Sequence, residues 1–216
     1  AGPLTGIITS AELALESVPH EPARVPDIER RLLRRRLTTI LRQAHRLNEL
    51  RDDLLALAAA DADTIRARAA TVDVLPYLRA AVDIDGAGVR LTVDCPADLY
   101  CLVQPTHLSQ MLSNLVSNAV RYAEHEVQLA ALKAGDRVLI TIRDDGPGIA
   151  PEVAHRLFRR FAHADAAVRP EGAGTGLGLY IVHTLAHANN GTILFTPEER
   201  GTRFTLALPA GSGTVA

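Results

Sequence analysis

The spacing of apolar residues changes once along this 216-residue chain, near residue 72. Before that point apolar residues recur every three or four positions, which is the period of an amphipathic helix. After it, short runs of alternating apolar and polar residues are interleaved with further helical runs. We therefore predict an α+β chain with a purely helical first part and a mixed second part.

Two helices are predicted in the first part. The apolar stripe of the first is Leu4, Ile8, Ala11 and Leu15. It ends at SVPHEPARVP, because three prolines cannot continue a helix. A longer helix over about 27–60 carries a heptad pattern, broken once by Arg51, whose apolar positions are Leu37, Ile40, Ala44, Leu47, Leu54 and Ala58. Stripes this narrow cannot close a core alone, so we predict a helical hairpin that forms a four-helix bundle in a homodimer. The alternative is a hairpin packed on the rest of its own chain.

The second part is predicted to be an α/β sandwich, with helices on one face of a mixed sheet. Helices are expected at about 76–83, 106–123, 151–157 and 176–188, the second of them capped by Thr106. Strands are expected at VRLTVD, DLYCLV, EVQLAALKA, RVLITIRD, GTILFTP and GTRFTLALP.

Composition excludes several classes of protein. Lys and Arg number 23 against 25 Asp and Glu, so no basic surplus suggests nucleic acid or an anionic membrane as a partner. Cys95 and Cys101 are too few for a disulfide framework or a four-cysteine zinc site, and free thiols are typical of the cytosol. With neither a signal peptide nor an apolar run near the roughly 20 residues of a membrane span, we expect a cytoplasmic chain without membrane contact.

The segment NLVSNAVRY carries two amides on one helix face, because Asn114 and Asn118 are four residues apart, with Arg121 beside them. Such amides are commonly surface or capping residues. An amide oxygen is also a hard neutral ligand that suits Mg²⁺ together with waters and phosphates.

Two glycine-rich segments follow. In DDGPGI, Asp144 comes directly after a strand, and the segment is either a simple turn or a pocket in which the carboxylate accepts a hydrogen bond from the adenine amine. In GAGTGLGL, glycines at the start of a helix leave N–H groups able to face phosphate. This second segment has neither the lysine of a P-loop nor the preceding strand of a dinucleotide fingerprint.

The segment LFRRF places Phe158 and Phe161 at helical spacing, which is typical of core packing. Its two arginines either reach phosphate or are solvated. The stretch from 162 to 175 has few large apolar residues, and we predict a lid that becomes ordered when ATP binds.

Read in order, NLVSNAVRY, DDGPGI, LFRRF, GTGLGL and GTRFTLALP resemble the N box, first glycine box, F box, second glycine box and final glycine turn of sensor histidine kinases. These kinases share the GHKL ATPase fold with gyrase, Hsp90 and MutL. The resemblance implies a dimerization and phosphotransfer hairpin at 1–68 and an ATP-binding catalytic domain at 72–210. It also implies an ATP-dependent protein histidine kinase of a two-component system that passes phosphoryl to a response regulator. Such a fragment would be cytoplasmic, whether or not the whole sensor is anchored in a membrane.

The resemblance also assigns roles to residues. Asn118, assisted by Asn114, would bind Mg²⁺, and Arg121 would act with Asn118 in catalysis by neutralising phosphate charge. Tyr122 and Asp144 would contact adenine in a pocket shaped by Gly146, Gly148 and Ile149. The lid and phosphate cradle would comprise Gly172, Gly174, Thr175, Gly176, Leu177 and Gly178.

The family's phosphoacceptor histidine would lie just before Ala1, since Pro3 and Leu4 match the end of that motif. Two alternatives remain. One is a nucleotide-binding dimerization module without phosphotransfer, and the other is a different GHKL ATPase or serine kinase.

Overall fold

The computed structural model describes residues 69–83, 88–154, 156–159 and 176–213, together with helical residues 11, 33, 35–40, 44 and 47. The chain divides into two compact units, and all strands named below belong to the second. The helical residues of the first unit agree with the two predicted helices. Most of the predicted hairpin, including Leu54 and Ala58, lies outside the described residues, so its boundary at residue 68 stays a prediction.

The described residues of the second unit form seven strands and four helices. The strands are β1 (Ala70–Asp73), β2 (Arg90–Asp94), β3 (Tyr100–Val103), β4 (Glu126–Ala134), β5 (Arg137–Asp144), β6 (Thr192–Pro197) and β7 (Thr202–Pro209). The helices are α1 (Val74–Val82), α2 (Pro105–Tyr122), α3 (Pro151–Ala154) and α4 (Gly178–Ala188). Among the described helices, none is both long and apolar enough to cross a membrane.

A mixed sheet of five strands in the order β2-β4-β5-β7-β6 organises this unit. The pair β2 and β4 is parallel, and the other neighbours are antiparallel. Alternate residues of β5 and β7 are buried, and α2 packs against β4, β5, α1 and α4. One sheet face is thus covered by helices, which confirms the predicted α+β fold with its α/β sandwich.

The structure corrects three details. The segment just before the helix predicted at about 76–83, in which no strand was predicted, contains β1, which pairs with β3 in a separate two-stranded sheet. Helix α2 begins at Pro105, not at Thr106, because a proline is well suited to the first helical turn. Thr106 instead accepts a hydrogen bond of 3.0 Å from the side chain of Gln104. Helix α3, expected to reach 157, ends at Ala154.

A buried polar network joins the start of α2 to the end of α4. The Asn189 side chain accepts from the Gln104 N–H at 2.9 Å, donates to the Leu185 carbonyl at 2.7 Å and lies 3.1 Å from Nδ1 of His107. Burial lowers the pKa of His107, which favours the neutral ring that can accept from the Asn189 amide. The two helices that carry the predicted site are therefore held together at one end.

Candidate functional site

The C-terminal end of β5 places Asp144 in a buried position, where 4% of the residue is exposed. Its Oδ1 accepts a hydrogen bond of 3.0 Å from the Gly146 N–H. Thr202, its partner in β7, donates to it from both the backbone N–H and the hydroxyl group. Burial raises the pKa of Asp144, and these hydrogen bonds oppose that rise. The carboxylate is therefore held in one orientation and shielded from water.

Close backbone contacts fix the turn after Asp144. A Cβ atom added to Gly146 would lie 2.2 Å from the Tyr122 carbonyl oxygen, so the turn fits directly against the end of α2. Gly148 has a φ of +78°, and a Cβ atom there would lie 3.0 Å from the Gly201 carbonyl oxygen. The first glycine box thus contacts both the N box and the final glycine turn, and only glycine permits these approaches.

The N box also contacts the start of α4. A Cβ atom added to Gly178 would lie 3.1 Å from Oδ1 of Asn114. The Asn114 Nδ2 atom is buried and has no hydrogen-bond partner among the described residues. Asn118, one turn further along α2, is half-buried. The second glycine box and the N box therefore meet at Asn114.

Some of the remaining predicted site residues have described positions, and others lie outside the described residues. Gly176 has a φ of +73°, and Leu177 is buried just before α4. Arg121, Tyr122 and Ile149 are half-buried. Gly172, Gly174 and Thr175 lie outside the described residues, as does the predicted lid. The nucleotide contacts assigned to all of these residues stay predictions.

Phe158 of the F box has the packing role expected of it. Its ring lies 5.7 Å from that of His183 and 6.4 Å from that of Phe204, the latter edge-on. Arg159 is exposed, and the other arginine and Phe161 lie outside the described residues.

Sequence reasoning missed Asp145. Its carboxylate accepts hydrogen bonds from the N–H groups of Glu124, His125 and Glu126 at 2.9–3.1 Å. These bonds, that from His125 foremost, hold the pKa of Asp145 well below its usual range. Asp145 therefore fixes the segment that follows α2, and with it the position of Tyr122. Thr202 was missed as well, although the Gly-Thr pair that opens β7 was a usable signal.

Replacing Asp145 with alanine is expected to lower the free energy of unfolding by about 1–2 kcal/mol, because three N–H groups lose their acceptor. Denaturant unfolding at neutral pH measures this, with the exposed turn residue Asp136→Ala as the control. The stability that Asp145 contributes to the wild type should also be lost progressively as the pH falls below about 4. The reason is that the pKa of Asp145 is lower in the folded chain than in the unfolded chain, so protonation favours unfolding. Equal stability of both variants at pH 7 would contradict the proposed anchoring.

Comparison with known proteins agrees with this geometry. Residues 103–212 match the family described as histidine kinase-, DNA gyrase B-, and HSP90-like ATPase. The chain is 34% identical over 206 residues to the sensor histidine kinase CpxA of Escherichia coli, which covers 88% of this chain and 45% of CpxA. The chain belongs to the sensor histidine kinase family.

Two further comparisons agree with this result. AfsQ2 of Streptomyces coelicolor, a signal transduction histidine-protein kinase, is 33% identical over 171 residues, covering 79% of this chain and 32% of AfsQ2. The crystal structure of full-length ShkA in complex with AMPPNP has a TM-score of 0.70 and 27% identity, covering 99% of this chain and 44% of ShkA. The chain spans less than half the length of these curated relatives.

Proposed function

We propose that this chain is the ATP-binding, phosphotransferring core of a two-component sensor kinase, with a hairpin at 1–68 and a catalytic domain at 72–210. It would transfer the γ-phosphoryl group of ATP to a histidine, from which the aspartate of a response regulator receives it. We expect this part of the protein to act in the cytoplasm, where ATP is supplied.

The buried carboxylate of Asp144 carries the proposal. The exocyclic amine of adenine can donate to an oriented carboxylate, whereas guanine presents a carbonyl oxygen at the matching position and would leave Asp144 unsatisfied. Thr202 and Gly146 already occupy part of its hydrogen-bonding capacity and hold it in place. The solved ShkA structure contains the ATP analogue AMPPNP, which supports ATP as the ligand of this related chain.

The phosphate end of the site would lie between α2 and the start of α4. The side-chain amide of Asn114 sits against Gly178 and has a buried nitrogen without a partner among the described residues, so this group has unused polar capacity. The oxygens of Asn114 and Asn118 are hard, neutral ligands, and the pair fits Mg²⁺ bound with phosphates. When bound, Mg²⁺ neutralises phosphate charge. Arg121 would add a cation, and the N-terminus of α4 favours an anion.

These residues would act mainly by positioning and charge neutralisation, because the phosphoryl transition state is loose. Asp144 would fix the base, and Arg121 would hold the phosphates in a constant orientation. Titration of ATP and Mg²⁺ into the chain tests the proposal at its first step. We expect saturable binding, and a folded chain that binds no ATP would contradict it.

Changing Asn118 to alanine should weaken ATP binding at least about tenfold in Mg²⁺, because a metal ligand is lost. The loss should be much smaller in the presence of a chelator. Calorimetric titration under both conditions measures the difference, with the neighbouring exposed Ser117→Ala as the control. Equal losses with and without Mg²⁺ would show that Asn118 acts in packing instead.

Dimerization through the first unit is supported by exposed apolar residues. Leu33, Ile40 and Leu47 are each about half exposed and seven residues apart, whereas Ala44 is buried. A second copy would cover this stripe.

Light scattering should find a dimer for the chain and a monomer that still binds ATP for the double variant Ile40→Glu and Leu47→Glu. Thr39→Glu, at an outer heptad position, is the control and should remain dimeric. A monomeric wild-type chain at high concentration would contradict the proposal.

A further inference from the structure

Two histidines outside the proposed nucleotide site lie next to each other on α4. His183 and His187 are one helical turn apart and therefore lie on the same face. Their ring centroids are 4.6 Å apart, and the ring planes are inclined by 58°. His187 is exposed to solvent and His183 is partly exposed, so small ions can reach the pair.

The surroundings of His183 keep its ring neutral. Its pKa is lowered, first by burial and then by the neighbouring charge of His187. The ring also packs against Phe158, which restricts its orientation. A neutral imidazole has a free nitrogen lone pair, which is the form that binds metal ions.

Two histidines four residues apart on a helix can bind one metal ion together, as in the zinc-binding helix of metalloproteases. Imidazole nitrogen suits Zn²⁺, Ni²⁺ and Cu²⁺, whereas Mg²⁺ prefers oxygen ligands. We propose that His183 and His187 form a binding site for a late first-row divalent ion, distinct from the magnesium site of the nucleotide.

The number of protein ligands defines the kind of site. Within the described part of the chain, no group of three or more His, Cys, Asp or Glu residues could hold a metal ion. The pair therefore supplies two ligands, and water completes the coordination of an exchangeable ion. With a rise of about 1.5 Å per residue, His183 lies roughly 8 Å and His187 roughly 14 Å along the helix from Gly178. This spacing separates the histidine site from the N box.

Metal binding should stabilise the folded state, because the two rings are brought together only when α4 is formed. The ion would also hold the His183 ring, and so its contact with Phe158. Both effects concern the folded state of α4 and the F box and can be measured without ATP. They therefore provide a readout that is independent of kinase activity.

Calorimetric titration of Ni²⁺ into the untagged, metal-free chain tests the site. We expect binding that weakens at least about tenfold in His187→Ala, in which an exposed ligand is removed at little cost to folding. His183→Gln should weaken it similarly. His125→Ala, which removes an exposed histidine outside α4, is the matched control and should bind as the wild type does.

Thermal unfolding gives the second measurement. Saturating Ni²⁺ should raise the Tm of the wild type and of His125→Ala, and it should leave the Tm of His187→Ala unchanged. Mg²⁺ at the same concentration should not reproduce the shift in the absence of nucleotide. A wild-type chain without a Ni²⁺-dependent shift, or equal Ni²⁺ affinity in the wild type and both α4 variants, would overturn the proposal.

Discussion

Replacing Asp144 with asparagine is expected to weaken ATP binding by about 30-fold or more, equivalent to about 2 kcal/mol. The substitution replaces one carboxylate oxygen with an amide nitrogen of the same size. In the wild type, Gly146 and Thr202 hold the carboxylate in place. In the variant, an NH₂ group faces either the adenine amine or one of these protein donors, and each arrangement leaves a buried donor unsatisfied.

The same substitution should preserve the fold, which separates binding from stability. Because the folded-state pKa of Asp144 is raised, its ionised form destabilises the fold as the pH rises through that pKa. A neutral asparagine removes this cost. The stability gained in this way offsets the stability lost with the hydrogen bonds to the carboxylate. We therefore expect a Tm within a few degrees of the wild type. Calorimetry with ATP measures the affinity, and Asp136→Asn is the control. Unchanged ATP affinity in Asp144→Asn would remove Asp144 from the adenine pocket.

Replacing Gly201 with alanine is expected to cost about 3 kcal/mol or more in stability and to abolish ATP binding. A Cβ atom at this position would lie 1.8 Å from the carbonyl oxygen of Asp144, and the φ of +88° is itself unfavourable for alanine. The start of β7 would have to move away from the end of β5, where Asp144 lies. That movement withdraws Thr202 from Asp144.

Gly135 provides a matched control, because its φ is +63° but no atom lies within 4 Å of an added Cβ. Gly135→Ala should therefore cost only about 1–2 kcal/mol through backbone strain and leave ATP binding unchanged. Denaturant unfolding and ATP titration measure both variants. Similar behaviour of the two would show that strain, and not the contact with Asp144, determines the effect at Gly201.

The strands of the sheet core were predictable because their alternation is regular. Strands β4 and β5 begin and end at the predicted residues, since buried residues alternate with less buried ones along both strands and a Gly-Asp turn separates them. Strand β1 was missed because four residues give too short a pattern, and its pairing with β3 depends on residues about 30 positions further along the chain. The start of α2 was misplaced because proline, and not a side-chain cap, defines its first turn.

The site was predictable where a residue type has a specific chemical use. Gly146 lies against Asp144 and the end of the N box at Tyr122, and Gly178 lies against Asn114, so the motifs come together in two contacts. Asp145 and Thr202 act through hydrogen bonds that form only when distant segments come together, and no local spacing reveals them. The contact of His183 with Phe158 is of the same kind, since it joins α4 to the F box.

Transfer of labelled phosphoryl from γ-labelled ATP tests the central claim most directly. The assay requires a form of the protein that includes the histidine expected before Ala1. We predict protein-bound label that is lost in acid and stable in alkali, as a phosphorus–nitrogen bond requires. At an ATP concentration near the wild-type Kd, the label should form much more slowly in Asp144→Asn and Asn118→Ala. Acid-stable label would indicate a serine kinase of the same fold. ATP binding without any label would indicate a module without phosphotransfer, and either result would contradict the account.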